Sequence, residues 1–360
     1  MNPAFWLNRK VLITGHTGFK GSWLCLWLQR LGAKVVGYAL DPPTEPSLFK
    51  SAQVADYIVS IRGDIRDLQQ LTGTIREHEP EVIFHLAAQS VVRESYADPL
   101  ETYSTNVLGT ASVFQAVRAV PGRRAIVNVT TDKVYKNKEW LWGYRENDEL
   151  GGRDPYSSSK ACAELVTQAF RDSYFPVNEI ERHGISLATA RAGNVIGGGD
   201  WTADQLVPDI IRAFTSRKPV KIRQPNATRP WQHVMDCIAG YILLAERLGA
   251  EGAQFCSGWN FGPPAADVRP VSWIADYLVK SWGAGASWEL DKGHHPHEAR
   301  MLSLDSTNAT EMLGWRPKLP LPQALEWTVE WYKSSHAGAS ARDICLRQID
   351  AYERLEPARR

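Results

Sequence analysis

The stretch KVLITGHTGFKGSWLCLWLQRLG, residues 10 to 32, constrains the fold of this chain more than any other. A short β-rich run leads directly into three glycines, Gly15, Gly18 and Gly21. A segment with apolar residues at helical spacing follows and stops at Gly32. A strand that enters a helix through such a loop needs glycine for the tight turn, and again where backbone approaches a pyrophosphate. The helix N-terminus then faces the negative charge. The loop residues Gly15, His16, Gly18, Phe19, Lys20 and Gly21 are therefore the expected cradle of a dinucleotide. The spacing G-x-x-G-x-x-G is longer in its first interval than the dehydrogenase fingerprint, and a glycine triplet alone can be a turn without a ligand. The order strand, loop, helix favours the ligand. Lys20 reads either as a pyrophosphate contact or as a solvated lysine.

The same alternation continues. KVVGYAL, VIFHLAA and AIVNVTT are strand candidates, and NVLGTASVFQAVRAV is a helix candidate before the last of them. Strands and helices in regular turn predict an α/β fold, a Rossmann-type doubly wound parallel sheet covered on both faces. After residue 190 the pattern loosens into GNVIGGGDW, a glycine-rich loop, and later an amphipathic helix in LPLPQALEWTVEWYKS. The tail after Glu356 is expected to fray. The 360 residues allow one large domain or two ordinary ones, and 44% hydrophobic against 22% charged residues suits a globular protein with ample core. A net charge of +1 gives no general attraction to nucleic acid or membrane. Five cysteines without a C-x-x-C, an N-terminus that reaches a strand too early for a signal peptide and no bilayer-length apolar run together predict a cytoplasmic protein. Most of the fourteen tryptophans are expected in cores, and some around a pocket for a ring-shaped ligand.

Asp41 closes the second strand, in GYALD. A carboxylate there binds ribose hydroxyls and repels a 2′-phosphate, which favours NAD over NADP; the alternative is a plain loop aspartate. Asp64, in RGDIRD, is a candidate for the adenine edge. In YSSSK, Tyr156 and Lys160 stand four apart on a predicted helix and share a face. An ammonium near a phenol stabilises the phenolate, so such a tyrosine is suited to take a proton from a sugar hydroxyl.

With these residues the chain resembles the extended short-chain dehydrogenases/reductases that act on nucleotide sugars. The resemblance rests on the glycine loop, Asp64-Ile65, HLAAQ (His85 to Gln89), NVLGT (Asn106 to Thr110), TTDKVY and the Tyr156–Lys160 pair, and it runs from about Lys10 to about Thr328. RAGNVIGGGDW and RPWQHVMD are similar to the family's substrate-side segments. The resemblance implies a Rossmann domain over 1–190 with a return around 231–262, and a smaller α/β substrate domain from 191–230 and 263–355. It implies NAD held also by Ile65, Leu86, Ala87, Ala88, Gln89, Asn106, Thr130, Tyr156 and Lys160, and a homodimer or homotetramer. Ser90, Thr131, Asn194, Arg223, Arg229 and Arg300 are the implied substrate contacts, the arginines because a planar fork suits diphosphate oxygens.

The stretch VTTDKVY separates the activities within that family. Its 4-epimerases carry small hydroxyl residues there, whereas its 4,6-dehydratases place an acid after TT, commonly followed by glutamate. This chain has Thr131-Asp132-Lys133. The aspartate resembles the dehydratases, and the lysine together with GHTGFKG resembles the branch that acts on CDP-glucose. Elimination of water needs an acid and a base beside the sugar ring. Asp132 is the candidate acid. Lys133 is either the base at carbon 5 or an electrostatic stabiliser of the enolate. A surface ion pair is the alternative for both. The rival activities are a dehydratase for another nucleotide, a 4-epimerase, or a non-catalytic NAD-binding sensor, which would have little reason to keep Tyr156, Lys160 and Asp132 together. His294, His295 and His297, in GHHPH, suggest zinc on sight, but no cysteine or carboxylate cluster accompanies them, and no metal is expected.

Overall fold

The computed structural model describes residues 1–283, 285–293 and 299–356. His294, His295, His297 and the PARR tail lie outside them. Seven parallel strands form the central sheet: β1 (Lys10–Thr14), β2 (Lys34–Ala39), β3 (Val59–Arg62), β4 (Val82–His85), β5 (Arg124–Val129), β6 (Ile185–Arg191) and β7 (Gly258–Asn260). Their spatial order is β7-β6-β5-β4-β1-β2-β3. The chain order reverses between β1 and β4, and in an open parallel sheet the crevice at that switch point is where ligands bind. The inner strands β4, β5 and β6 are buried along their whole length, which is why they read as near-continuous apolar runs, whereas edge strand β3 is largely exposed. Along β1, Val11 and Ile13 enter one core and Leu12 the other.

Helix α1 (Phe19–Arg30) follows β1, and α2 (Leu68–His78) follows β3. The helix expected over residues 106–120 is two pieces: a π-helical turn at Ser104–Leu108, then α3 (Gly109–Arg118). The wide turn directs Asn106 inward, where its amide bonds to Gln89 and Ser159. Helix α4 (Pro155–Ser173) starts at a strong signal: Asp154 caps it by accepting from the Ser157 N–H, and Pro155 occupies the first turn.

Beyond β6 the chain builds smaller pieces. Val195–Ile196 pairs with Gln232–His233, Val220–Ile222 with Trp288–Leu290, and Thr228–Pro230 with Val268–Pro270. The glycine-rich segment expected as a loop therefore contains a short strand. Helix α5 (Val234–Glu251) then returns to the sheet and delivers β7 to its edge. Helix α6 (Leu321–His336) matches the expected amphipathic segment. Helix α7 (Ala341–Arg354), which the sequence reading grouped with the substrate domain, lies on α1: Trp27 Nε1 donates to Glu353 at 2.8 Å, and the Trp27 and Tyr352 rings meet edge to face.

Candidate active site

A cleft of about 1670 Å³ opens over the carboxyl ends of the strands, at the switch point. Its cofactor side begins with the glycine loop. Gly15 has a φ of +77°, and a Cβ there would lie 2.7 Å from the Ala87 nitrogen. A Cβ on Gly21 would lie 2.2 Å from the Gly15 oxygen. These two glycines are demanded by the protein's own backbone. Gly18 is different, because a Cβ there would meet nothing nearer than 3.5 Å. It opens α1 without a side-chain cap, so the first N–H groups of the helix face a cradle that a pyrophosphate fits. Phe19, Lys20, Asp41, Asp64, Ile65 and Leu86 to Ser90 continue the lining.

Two expected cofactor contacts are struts instead. The His16 ring is buried behind the loop, packed over Gly37 and bonded through Nε2 to the Ser60 hydroxyl at 2.8 Å. Burial lowers it to about 4, so it is neutral at pH 7. Asn106 holds Gln89 by its backbone N–H and carbonyl, both at 2.9 Å, and so shapes the cleft wall from behind. Asp41 lies in the cleft but is ion-paired with Arg62 at 2.6 Å. Asp64 is gripped by the Arg66 guanidinium, which holds its carboxyl below the usual range.

The catalytic corner is formed where β5 ends. Thr131 donates to Asp132 Oδ1 at 3.0 Å, and its hydroxyl stands near enough to the Tyr156 phenol to favour the phenolate. Asp132 is fully buried, and its Oδ2 has no hydrogen-bond partner. Burial pushes this carboxyl up, against the pull of Lys133, Thr131, Arg229 and Lys20. Space for it exists because residue 193 is glycine: a Cβ there would fall 1.9 Å from the carboxyl carbon. Lys133 Nζ lies 5.8 Å from the centre of the Tyr156 ring. The expected lowering of Tyr156 by an ammonium is outweighed, since burial pushes the phenol well above its ordinary value and the charges of Asp132 and Asp154 add to this. Lys160 Nζ donates to the Val129 carbonyl at 3.2 Å, and burial assisted by the Lys20 charge lowers it to about 8.

On the substrate side, Asn194 lines the cleft at a φ of +48°, with its buried Oδ1 unpartnered. Arg223 and Arg229 also line it. Arg300 does not. Its backbone N–H donates to Glu139 and its carbonyl accepts from the Thr228 N–H, so its main chain fastens a strand. Sequence reasoning missed Gly193, beside the expected Asn194, and Arg93, which lines the cleft and bonds to Asp204 at 3.1 Å. It also missed Glu164, one turn beyond Lys160. Trp201 and Trp231 are the tryptophans of the cleft wall. No helix among the described residues is long and apolar enough to cross a membrane, and none of them group as a metal site would require.

Comparison with known proteins places this geometry. The family model described as GDP-mannose 4,6 dehydratase matches residues 12–328. The chain belongs to that family. Among its relatives, the CDP-glucose 4,6-dehydratase of Salmonella typhimurium is 52% identical over 352 residues, 98% of each chain. A dTDP-glucose 4,6-dehydratase of Xanthomonas campestris pv. campestris is 28% identical, over 89% of this chain and 92% of that one. Among solved structures of the family fold, DesIV, the dTDP-glucose 4,6-dehydratase of Streptomyces venezuelae with NAD and TYD bound, superposes with a TM-score of 0.76 at 25% identity, covering 91% of this chain and 98% of that one.

Proposed function

We propose that this protein is a hydro-lyase that converts CDP-glucose to CDP-4-keto-6-deoxyglucose and water, with NAD as an internally recycled cofactor, in deoxysugar synthesis for O-antigen-type polysaccharides. The observation that carries the elimination is Asp132: a wholly buried carboxyl, pushed toward its protonated form, adjoining the Thr131–Tyr156 pair. An enzyme that only oxidised and reduced carbon 4 would have no use for it. The choice of CDP-glucose is supported by the 52% identity to the Salmonella enzyme over almost the whole chain.

The glycine loop Gly15 to Gly21 would hold NAD, which would supply a hydride acceptor for carbon 4 of the sugar and a hydride donor for carbon 6. Tyr156 removes the proton of the 4-hydroxyl, and Thr131 is within reach to bond that oxygen. The phenol is protonated at rest, so it must first give up its proton; Lys160, at about 8, is the neighbour able to exchange protons near neutral pH. With a ketone at carbon 4, the carbon 5 proton becomes acidic. Asp132 then protonates the departing 6-hydroxyl as water, Lys133 acts as base at carbon 5 or steadies the enolate, and a proton returns to carbon 5 as carbon 6 regains hydride. Gly18, Ala87 and Asp41 lie along the cofactor side, whereas Asn194, Arg223 and Arg229 hold the nucleotide diphosphate. Arg93, paired with Asp204, joins them. Substrate recognition falls to residues 191–230 and the segment from 263. The protein works in the cytoplasm as a homodimer or homotetramer, a reading in keeping with five unpaired cysteines. The test is incubation with CDP-, dTDP-, UDP- and GDP-glucose, watching for the absorbance of the 4-keto product in base. Product from CDP-glucose in large excess is expected; equal turnover of another nucleotide would refute the base assignment.

A further inference from the structure

Behind the catalytic corner lies a buried ion pair that the reaction itself does not touch. Glu164 and Arg191 are 2.7 Å apart, with side chains 4% and 6% exposed. The carboxylate is fully satisfied: Oε1 accepts from Thr130 at 2.5 Å and Arg191 Nε at 2.9 Å, and Oε2 from Thr189 and Arg191 Nη2, both at 2.7 Å. Arg191 Nη1 donates to the Tyr135 hydroxyl at 2.8 Å, and that hydroxyl donates to Asn260 Oδ1 at 2.7 Å. A buried pair of this kind recovers its desolvation cost only when every lone pair and proton is matched, and apolar replacements of the same volume often stabilise. Stability alone is a weak reason to keep it.

Its connections suggest another reason. Glu164 stands on α4, one turn beyond Lys160 and two beyond Tyr156. Thr130 directly precedes Thr131 and Asp132, and Tyr135 closes the same turn. Arg191 ends β6, two residues before Gly193, against which the Asp132 carboxyl rests. The helix that carries the oxidising tyrosine, the turn that carries the acid and the strand end that makes room for the acid therefore meet at one carboxylate. We propose that Glu164, with Arg191 and Tyr135, is a positioning device that sets the place of Asp132 relative to Tyr156, and so controls the elimination half of the reaction separately from the oxidation half. The inference rests on the dehydratase reading. Two groups on different elements must address two carbons of one ring, and a misplacement of about 1 Å can cost about a hundredfold in rate.

The experiment uses the full-length protein with CDP-glucose in single-turnover mode, with quenched samples assayed for the 4-keto-glucose intermediate and for the 4-keto-6-deoxy product. Glu164→Gln and Tyr135→Phe loosen the device. Thr189→Val removes a bond to the same carboxylate from the strand, away from the catalytic turn, and serves as the comparison. Thermal melting reports the structural cost of each. Glu164→Gln is expected to lower the ratio of elimination to oxidation at least tenfold, and Tyr135→Phe several-fold. Thr189→Val is expected to lower melting temperature while leaving that ratio unchanged. The charge of Glu164 also holds the Lys160 ammonium in place, so Glu164→Gln should move the Lys160 limb of the pH profile of oxidation to lower pH. The proposal is overturned if the two loosening variants melt lower but keep the ratio, or if Thr189→Val changes it as much as they do. Should Glu164→Gln not fold, Tyr135→Phe decides. Failure of the unaltered protein to form the deoxy product would count against the dehydratase reading, and is told apart because it involves no variant.

Discussion

Replacing Asp132 by asparagine isolates the proton given to the leaving hydroxyl. The side chain is wholly buried, Thr131 donates to Oδ1, and Oδ2 has no partner. Burial favours the protonated acid, and the unpartnered Oδ2 is the oxygen on which that proton can sit. Asparagine keeps the shape and the acceptor for Thr131 but cannot deliver a proton. General acid catalysis is worth about 10²- to 10⁴-fold, or about 3–5 kcal/mol of barrier. Elimination in Asp132→Asn is expected to slow by that much, while oxidation at carbon 4 is nearly unchanged, so the 4-keto-glucose intermediate accumulates in a quenched single turnover. A 6-fluoro substrate should restore much of the rate, because fluoride departs with less need of an acid. The sign of the pH effect follows from the raised carboxyl. Elimination by the unaltered protein is fullest at low pH and falls as pH rises through the elevated value of Asp132; the variant lacks that limb. Normal elimination in Asp132→Asn, or equal loss of both half-reactions, would refute the assignment.

Gly193→Ala places a methyl group within the Asp132 carboxyl and should lower elimination at least as much as Asp132→Asn does; unimpaired product formation would mean that the carboxyl is free to move. Tyr156→Phe should abolish oxidation yet leave CDP-glucose binding, measured by calorimetry, within a few-fold. Lys160 is depressed to about 8 and can take the phenol's proton only in its neutral form, so oxidation should rise as pH rises through that value; Lys160→Met should remove this limb from the pH–rate profile. Asp41→Ala should narrow the preference for NAD over NADP in binding assays, since it removes the repulsion of a 2′-phosphate and releases Arg62, which can attract one. Asp236→Ala leaves the Lys318 and Leu319 N–H groups and the Tyr352 hydroxyl without their acceptor, and should cost about 3 kcal/mol or more in denaturant unfolding.

Strands β1, β2, β4 and β5 were legible because they are buried on both faces and read as apolar runs, and because Gly15 and Gly21 answer to local backbone geometry; β3, at the sheet edge, is largely exposed and gives a weaker signal. Tyr156 and Lys160 were legible for a similar reason: their spacing and the Asp154–Pro155 start are local helix rules. His16 and Asn106 misled because the sequence places them in cofactor-binding segments without saying which way a side chain points. Space at Gly37 draws one inward, and a π-helical turn directs the other at Gln89. Glu164, Gly193 and Arg93 were missed because their partners are remote in the chain. Glu164 meets Arg191 and Thr130, and Gly193 meets Asp132, only once β5, β6 and α4 are assembled. Arg300 read as a phosphate ligand by residue type alone, and its neighbours Glu139 and Thr228 lie far away in sequence.

The lodging of α7 against α1 bears on how the protein is made. Trp27 waits for Glu353 and Tyr352, and Gln29 for Arg342, so one flank of the helix that heads the cofactor cradle stays uncovered until residues 341–354 leave the ribosome. All seven strands of the sheet have by then been synthesised, the last of them at residues 258–260. Nascent chains stopped short of α7 should accordingly display the Trp27 side of that helix, the kind of surface that chaperones retain. The helix that heads the cofactor cradle thus gains its full cover late in translation, although the cradle's glycines are among the first residues to emerge.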